Sequence, residues 1–169
     1  MQDCICQSLN GLSYGLYLVT SSDGTHNNGL IVNTAFQVSA DPAKLAVCIC
    51  KQSYTHEIIL QSGMLNVMPL EQSTPMVFIG NFGFRAGRTY DKFAKVPFTV
   101  GNNGCPVVAQ HTLSCIETRV TQMLDVGTHT LFIGDVTNGH VFKEGSIPLT
   151  YEYYHTVIKG KTPAGATHL

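Results

Sequence analysis

Charged side chains are scarce in this chain. Only 12% of its 169 residues are Asp, Glu, Lys or Arg, against 44% apolar residues, where roughly 25% charged is usual in soluble domains. A monomer with so few charges must cover its exterior with uncharged polar groups, a bound ligand or a partner subunit. The ten basic and eleven acidic residues leave a net charge of −1. The clustered cationic excess that nucleic-acid binding requires is therefore missing. No apolar run approaches the roughly 18 to 20 residues needed to cross a bilayer. The start, Met1-Gln2-Asp3-Cys4, carries no basic stretch ahead of an apolar one. These absences lead us to expect a cytoplasmic protein with no nucleic-acid and no membrane partner.

Several cofactor motifs are also lacking. The cysteines are Cys4, Cys6, Cys48, Cys50, Cys105 and Cys115. None forms a Cys-x-x-Cys pair, which removes the spacing of a thioredoxin centre, a zinc ribbon or a rubredoxin iron site. No metal site is expected. Two Cys-x-Cys pairs remain. On a strand Cys48 and Cys50 share a face, as small buried hydrophobes or as redox-active thiols, and Cys4 and Cys6 lie near an exposed terminus. No Gly-x-Gly-x-x-Gly occurs, so nothing signals a dinucleotide on a Rossmann turn. Gly160-Lys161-Thr162 imitates the end of a phosphate-binding P-loop, but the first glycine of that motif would fall where His155 stands.

What is present reads as one domain over 1–169, mainly β with short helices. Gly15 to Thr20, a turn at Ser21-Ser22-Asp23-Gly24, and Gly29 to Ser39 read as strand, turn, strand. Leu45 to Cys50 is a short apolar strand. Thr55 to Ser62 takes a helical spacing that stops at Gly63, and Met64 to Met68 returns to extended chain. Pro75 opens a second helix through about Asn81, loosened afterwards by Gly80, Gly83 and Gly87. Phe98 to Val100, Val107-Val108, Leu113 to Leu124, His129 to Val136 and His140 to Phe142 are expected strands. Helical material is expected only between about Thr55 and Lys95, which suggests an antiparallel barrel with excursions.

Three places carry chemistry. Lys51-Gln52-Ser53-Tyr54-Thr55 puts a lysine and two hydroxyls at a helix start, where unpaired N–H groups and a partial positive charge suit a phosphate monoester. The same residues also suit a simple helix cap. Arg85, Arg88, Lys92 and Lys95, four of only ten positive charges, fall at spacings of three, four and three, one face if helical. That face suits solvent or a nearby anion. His129 stands at a strand mouth, where it can donate to a ligand or move a proton near neutral pH.

In this order the segments resemble the FMN-binding split-barrel flavin reductase family, above all its branch with flavoredoxin and the flavin domain of high-molecular-weight rubredoxins. The resemblance runs through Tyr14 to Tyr17, Asn28 to Val38, Lys51 to His56, Phe82 to Arg88 and Asp91 to Phe93. It continues through His129 to Gly134, Pro148 to Tyr151 with Tyr153-Tyr154, and Lys159 to Pro163. It implies an antiparallel split β-barrel, a homodimer, and FMN whose ring lies against the backbone of Asn33, Thr34, Ala35, Phe36 and Gln37. It also implies a phosphate site at Lys51, Ser53, Tyr54 and Thr55 with help from Arg85, Arg88 or Lys92. NAD(P)H would stack on the exposed flavin face without a Rossmann domain, positioned by His129, and pass hydride to N5. Because the larger relatives append a rubredoxin domain that is not present here, a separate acceptor is expected, a flavin or a redox protein such as a rubredoxin or flavodiiron protein. An FMN electron carrier that exchanges electrons only with protein partners stands beside this reading.

Overall fold

Only Asn33 and Thr34 separate the two strands that form opposite edges of one antiparallel sheet. A computed structural model describes residues 2–162. Its main sheet runs in the order β2 (Asn27–Val32), β1 (Tyr17–Ser22), β5 (Met64–Pro69), β8 (Ser114–Asp125), β9 (His129–Val141), β4 (Ala43–Cys50), β3 (Ala35–Ala40). All of its ladders are antiparallel. Because β2 and β3 are nearly consecutive in sequence, the sheet has to roll until its edges approach, the direction in which a many-stranded twisted sheet coils. Among the described pairings no ladder joins β2 to β3. The backbone N–H of Cys48 reaches the Thr34 carbonyl at 3.0 Å instead.

The expected hairpin forms, with Val19 opposite Leu30. The expected strand from Gly29 to Ser39 is two strands: Val32 ends the pairing with Tyr17, and Ala35 begins a new one with Val47 across the seam. Conversely, His129 to Val136 and His140-Val141 belong to one long strand, β9, which ends just before Phe142. Two register shifts against β8 absorb its irregularity. A second, two-stranded sheet pairs β6 (Thr99–Val100) with β7 (Pro106–Val107).

α2 (Tyr54–Ser62) follows its sequence signals. Ser53 Oγ accepts from the His56 N–H, and Gly63 ends the helix at φ 66°, a left-handed conformation that glycine adopts without penalty. α3 (Met76–Gly83) starts after Pro75. Two helices lie outside the expected window, α1 (Gln2–Leu9) and α4 (Tyr151–Thr156). Thr150 caps α4 by accepting from the Tyr153 N–H. The basic stretch after Phe84 is turns, not a helix, so the shared-face expectation for Arg85, Arg88, Lys92 and Lys95 fails. The cause is a tertiary contact: the buried Lys92 ammonium binds the Phe82 and Gly29 carbonyls at 2.9 and 2.7 Å, which ties off the end of α3 against β2.

Two apolar cores result. Leu18, Met68, Leu70, Phe78, Phe82 and Leu149 bury one face of the sheet under α3 and α4, while Val19, Val47, Ile49, Ile59, Val67 and Phe132 fill the inside of the roll. Leu18 and Val19 are neighbours assigned to different cores, so β1 is buried on both faces. Burial pushes the Cys105 and Cys115 thiols up to about 11 and about 12, which leaves them inert. Cys4, Cys48, Cys50, Cys105 and Cys115 are free. The Cys6 side chain and Pro163, both part of the sequence reading, lie outside the described residues. Among the described residues no helix is long and apolar enough to cross a membrane, and no group of His, Cys, Asp or Glu could hold a metal ion.

Candidate functional site

The edge strand β2, the start of α2, the end of α3 and the turns after it enclose a cavity of about 340 Å³, with α4 and residues 161–162 closing the far wall. That volume falls at the small end of the roughly 300–1,000 Å³ usual for ligand sites. Its apolar lining includes Leu16, Ile31, Ile79 and Phe82. Its charges are of one sign: Arg85, Arg88, Lys92 and Lys161 line it, and no Asp or Glu does among the described residues. In a chain with net charge −1, this collects four cations around an apolar space and suits a ligand with a flat apolar body and an anionic end.

At one end Ser53, Tyr54 and Thr55 bring the first turn of α2 to the cavity. Asn28, buried on β2, ties this turn to the opposite wall. Its Oδ1 accepts from Thr55 Oγ1 at 3.0 Å and its Nδ2 donates to the Gly87 carbonyl at 3.3 Å. Arg88 donates to Glu57 Oε1, and its guanidinium sits 5.2 Å from the centre of the Tyr54 ring. That ion pair holds the guanidinium above its usual pKa. Arg85 lies 4.6 Å from the centre of the Tyr90 ring, and no carboxylate pairs with it among the described residues. Desolvation lowers the Lys92 pKa to about 8.

His129 is buried and lines the cavity directly across from Cys50, its partner in the β4–β9 ladder. Its Nδ1 lies 2.8 Å from the Thr128 hydroxyl. Cys48 and Cys50 are half-buried on the same wall, and burial followed by the neighbouring Cys50 raises the Cys48 thiol. His56, one turn into α2, faces the core instead. Its Nε2 is 2.8 Å from Thr130 Oγ1, and burial followed by Lys51 holds its pKa below the usual value.

Two parts of the sequence reading do not converge on this cavity. Of Asn33, Thr34, Ala35, Phe36 and Gln37, only Asn33 lines it. Across the seam Ala35 enters the core, Phe36 is exposed, and Gln37 Nε2 donates to the Ser39 carbonyl. Lys51 is also outside the lining. Its ammonium donates to Asp125 Oδ1 at 2.6 Å, drawn to the β8–β9 turn, where the same carboxylate oxygen accepts from the Gly127 N–H. Asn28, Tyr151, Tyr154, Lys161 and Thr162 also line the cavity, beyond the site residues expected from the sequence. Gly160-Lys161-Thr162 was the available signal for the last two.

The donor set fits FMN. The α2 start, Thr55, Arg85 and Arg88 would hold a phosphate, and the apolar lining would hold a flat ring system. Comparison with known proteins agrees. A family model described as "Flavin reductase like domain" matches residues 9–158. The ferric-chelate reductase (NAD(P)H) of Archaeoglobus fulgidus is 46% identical over 156 residues, 92% of each chain. The high molecular weight rubredoxin of Moorella thermoacetica is 42% identical over 160 residues, which is 95% of this chain and 69% of that one. The solved NADH:FAD oxidoreductase SgcE6 of Streptomyces globisporus C-1027 has TM-score 0.79 at 19% identity over 88% of this chain and 87% of that one, a likeness of fold.

Proposed function

The chain belongs to the flavin reductase like domain family, and we propose that it is an NAD(P)H-dependent oxidoreductase that carries FMN in the cationic cavity. The observation that carries this reading is the set of four cations around an apolar space with no carboxylate among its described lining residues. The first turn of α2 and Arg85 receive the phosphate, and Arg88, steered by Glu57 and Tyr54, closes over it. Asn33 and the apolar lining contact the ring. Asn28 holds the two walls at a fixed spacing. His129 stands at the cavity wall, where it orients the reduced nicotinamide, so the protein acts by bringing two cofactors together in register. When bound, FMN would supply a hydride-accepting ring and a two-electron store between the reduced nicotinamide and an acceptor.

The remaining parts of the reading follow the relatives and the surface. The acceptor is a free flavin or a separate redox protein. The likeness to a high molecular weight rubredoxin favours a rubredoxin among protein acceptors, and the likeness to a ferric-chelate reductase adds chelated ferric iron as a substrate to assay. Phe36 and Val38 on edge strand β3 are 48% and 45% exposed, apolar surface that suits a homodimer of single-domain subunits rolled into split barrels. Anaerobic titration of the FMN-loaded protein with NADH and with NADPH tests the function. Bleaching of the flavin absorbance at catalytic rates by either is expected. Failure of both would overturn the reading and leave an FMN carrier served by protein partners.

A further inference from the structure

Tyr151, Lys161 and Thr162 line the proposed FMN cavity and also a second cavity of about 860 Å³. The second one lies between residues 10–14 and the α4 segment with the turn that follows it. That turn is firmly held. Tyr154 Oη donates to the Lys161 carbonyl at 2.9 Å, Tyr151 Oη lies 2.9 Å from Thr162 Oγ1, and the Gly160 N–H donates to the Tyr154 carbonyl at 2.9 Å. A Cβ at position 160 would run into the Tyr154 ring, so glycine lets the chain cross the ring face and deliver Lys161 to the wall between the cavities. Lys161 is exposed, and no carboxylate pairs with it among the described residues.

The way from one cavity into the other runs past Tyr151, Lys161 and Thr162, of which Lys161 carries the charge. It is therefore best matched by a ligand with negative charge at its middle and a flat group at each end. The second cavity offers ring surface for one of those groups: Tyr14 and His155 pack against Tyr151 with centroids 6.1 and 4.3 Å apart. Glu152, the one carboxylate among its described lining residues, can accept from ribose hydroxyls. The geometry points to Lys161 as the anchor of the pyrophosphate of the reduced nicotinamide dinucleotide, with the second cavity as its adenosine subsite. This rests on the proposed function, which requires that dinucleotide. The motif that lacks a P-loop's first glycine thus still presents its lysine to phosphate, as a point charge on a turn and not within a cradle of N–H groups.

Calorimetry on the FMN-loaded protein with ADP-ribose, which has the pyrophosphate and adenosine but no nicotinamide, reads the site without turnover. Lys161→Ala is expected to weaken ADP-ribose tenfold or more and Lys161→Arg to restore part of the loss, with FMN, whose cavity Lys161 also lines, weakened much less than ADP-ribose. In turnover, Lys161→Ala should raise KM for the dinucleotide far more than it lowers kcat. Unchanged ADP-ribose affinity in Lys161→Ala overturns the proposal. An equal loss of FMN affinity does so too, because it would place Lys161 on the cofactor phosphate. If dinucleotides fail to bleach the flavin while ADP-ribose binding still depends on Lys161, the proposed function falls and the anion site stands.

Discussion

The amide of Asn28 bonds to the Gly87 carbonyl at 3.3 Å, so close that a Cβ on residue 87 would collide with it. Through this contact the edge strand β2 sets the position of the cationic turn that carries Arg85 and Arg88. Because Asn28 also accepts from Thr55 at 3.0 Å, one buried side chain spaces both ends of the proposed phosphate site.

Gly87→Ala should therefore push the turn off β2 at a cost of about 1–3 kcal/mol, the usual range for overpacking. If most of that falls on the bound state, FMN weakens by about tenfold or more, since 1.4 kcal/mol is a factor of ten. Titration of the apoprotein with FMN, followed by flavin fluorescence, measures it. Affinity within twofold of the parent would show that the contact does not set the site.

Lys51 and Arg85 should separate cleanly. Lys51 is engaged with Asp125 away from the cavity, so Lys51→Ala is expected to leave FMN and riboflavin affinities within about twofold. Its exposed ion pair adds little to stability, because solvent screens it. Arg85→Ala should weaken FMN at least tenfold and riboflavin much less, because only FMN carries the phosphate. Parallel titrations with the two flavins check both.

Lys92 makes stability depend on pH in a definite direction. Burial lowers its pKa from 10.5 to about 8, so between those values the unfolded chain binds more protons than the folded one and stability rises with pH. Its contribution is lowest below about pH 8, rises through the window at up to about 1.4 kcal/mol per pH unit, and is flat above 10.5. Lys92→Met should leave the Gly29 and Phe82 carbonyls without this donor, at a cost of about 1–3 kcal/mol each where they stay buried. The stability gap between parent and variant should widen from pH 8 to pH 9.5 in urea unfolding. A constant gap would show that the ammonium titrates normally.

Glu117 predicts a slope of the same sign at acid pH, from a carboxylate instead of an ammonium. Its carboxylate is wholly buried, 3.0 Å from His140 Nε2, and accepts from Asn138 Nδ2 at 3.3 Å and the Asn103 N–H at 3.1 Å. Burial pushes its pKa up, but the bonds from His140, the backbone of Asn102 and Asn103, and Asn138 together hold it below the usual 4.5. The stabilisation is fully present above pH 4.5 and is lost as pH falls through the lowered value. Glu117→Gln should cost about 1.5–3 kcal/mol at pH 7, with the gap narrowing in strong acid. Denaturant midpoints at pH 7 and pH 3 test this, and a gap that stays constant would remove the carboxylate's role.

Local signals in the sequence were enough for much of the frame. Ser53 and Gly63 bound α2, Pro75 opens α3, and Asp23-Gly24 turns the first hairpin, because each acts through its own backbone geometry or a bond to a near neighbour. The same holds for Ser53 and Thr55 as residues at a helix start. Thr150 carried a similar cap signal for α4. The apolar and aromatic residues around it, in a stretch where no helix is expected, hid that signal.

The rest depended on which distant segments meet. By itself the sequence determined a charge-poor, mainly β chain with few short helices and the strings of its family, since composition, period and short motifs are local properties. Only tertiary structure decided that the run from Gly29 to Ser39 breaks at a seam and sends Phe36 and Gln37 away from the cavity. It also decided that Lys51 goes to Asp125, 74 positions along the chain, and that Lys92 goes to Gly29. Such pairings follow from sheet curvature and from the need of each buried or half-buried charge for a partner. Neither constraint can be read until strands that are far apart in sequence lie side by side.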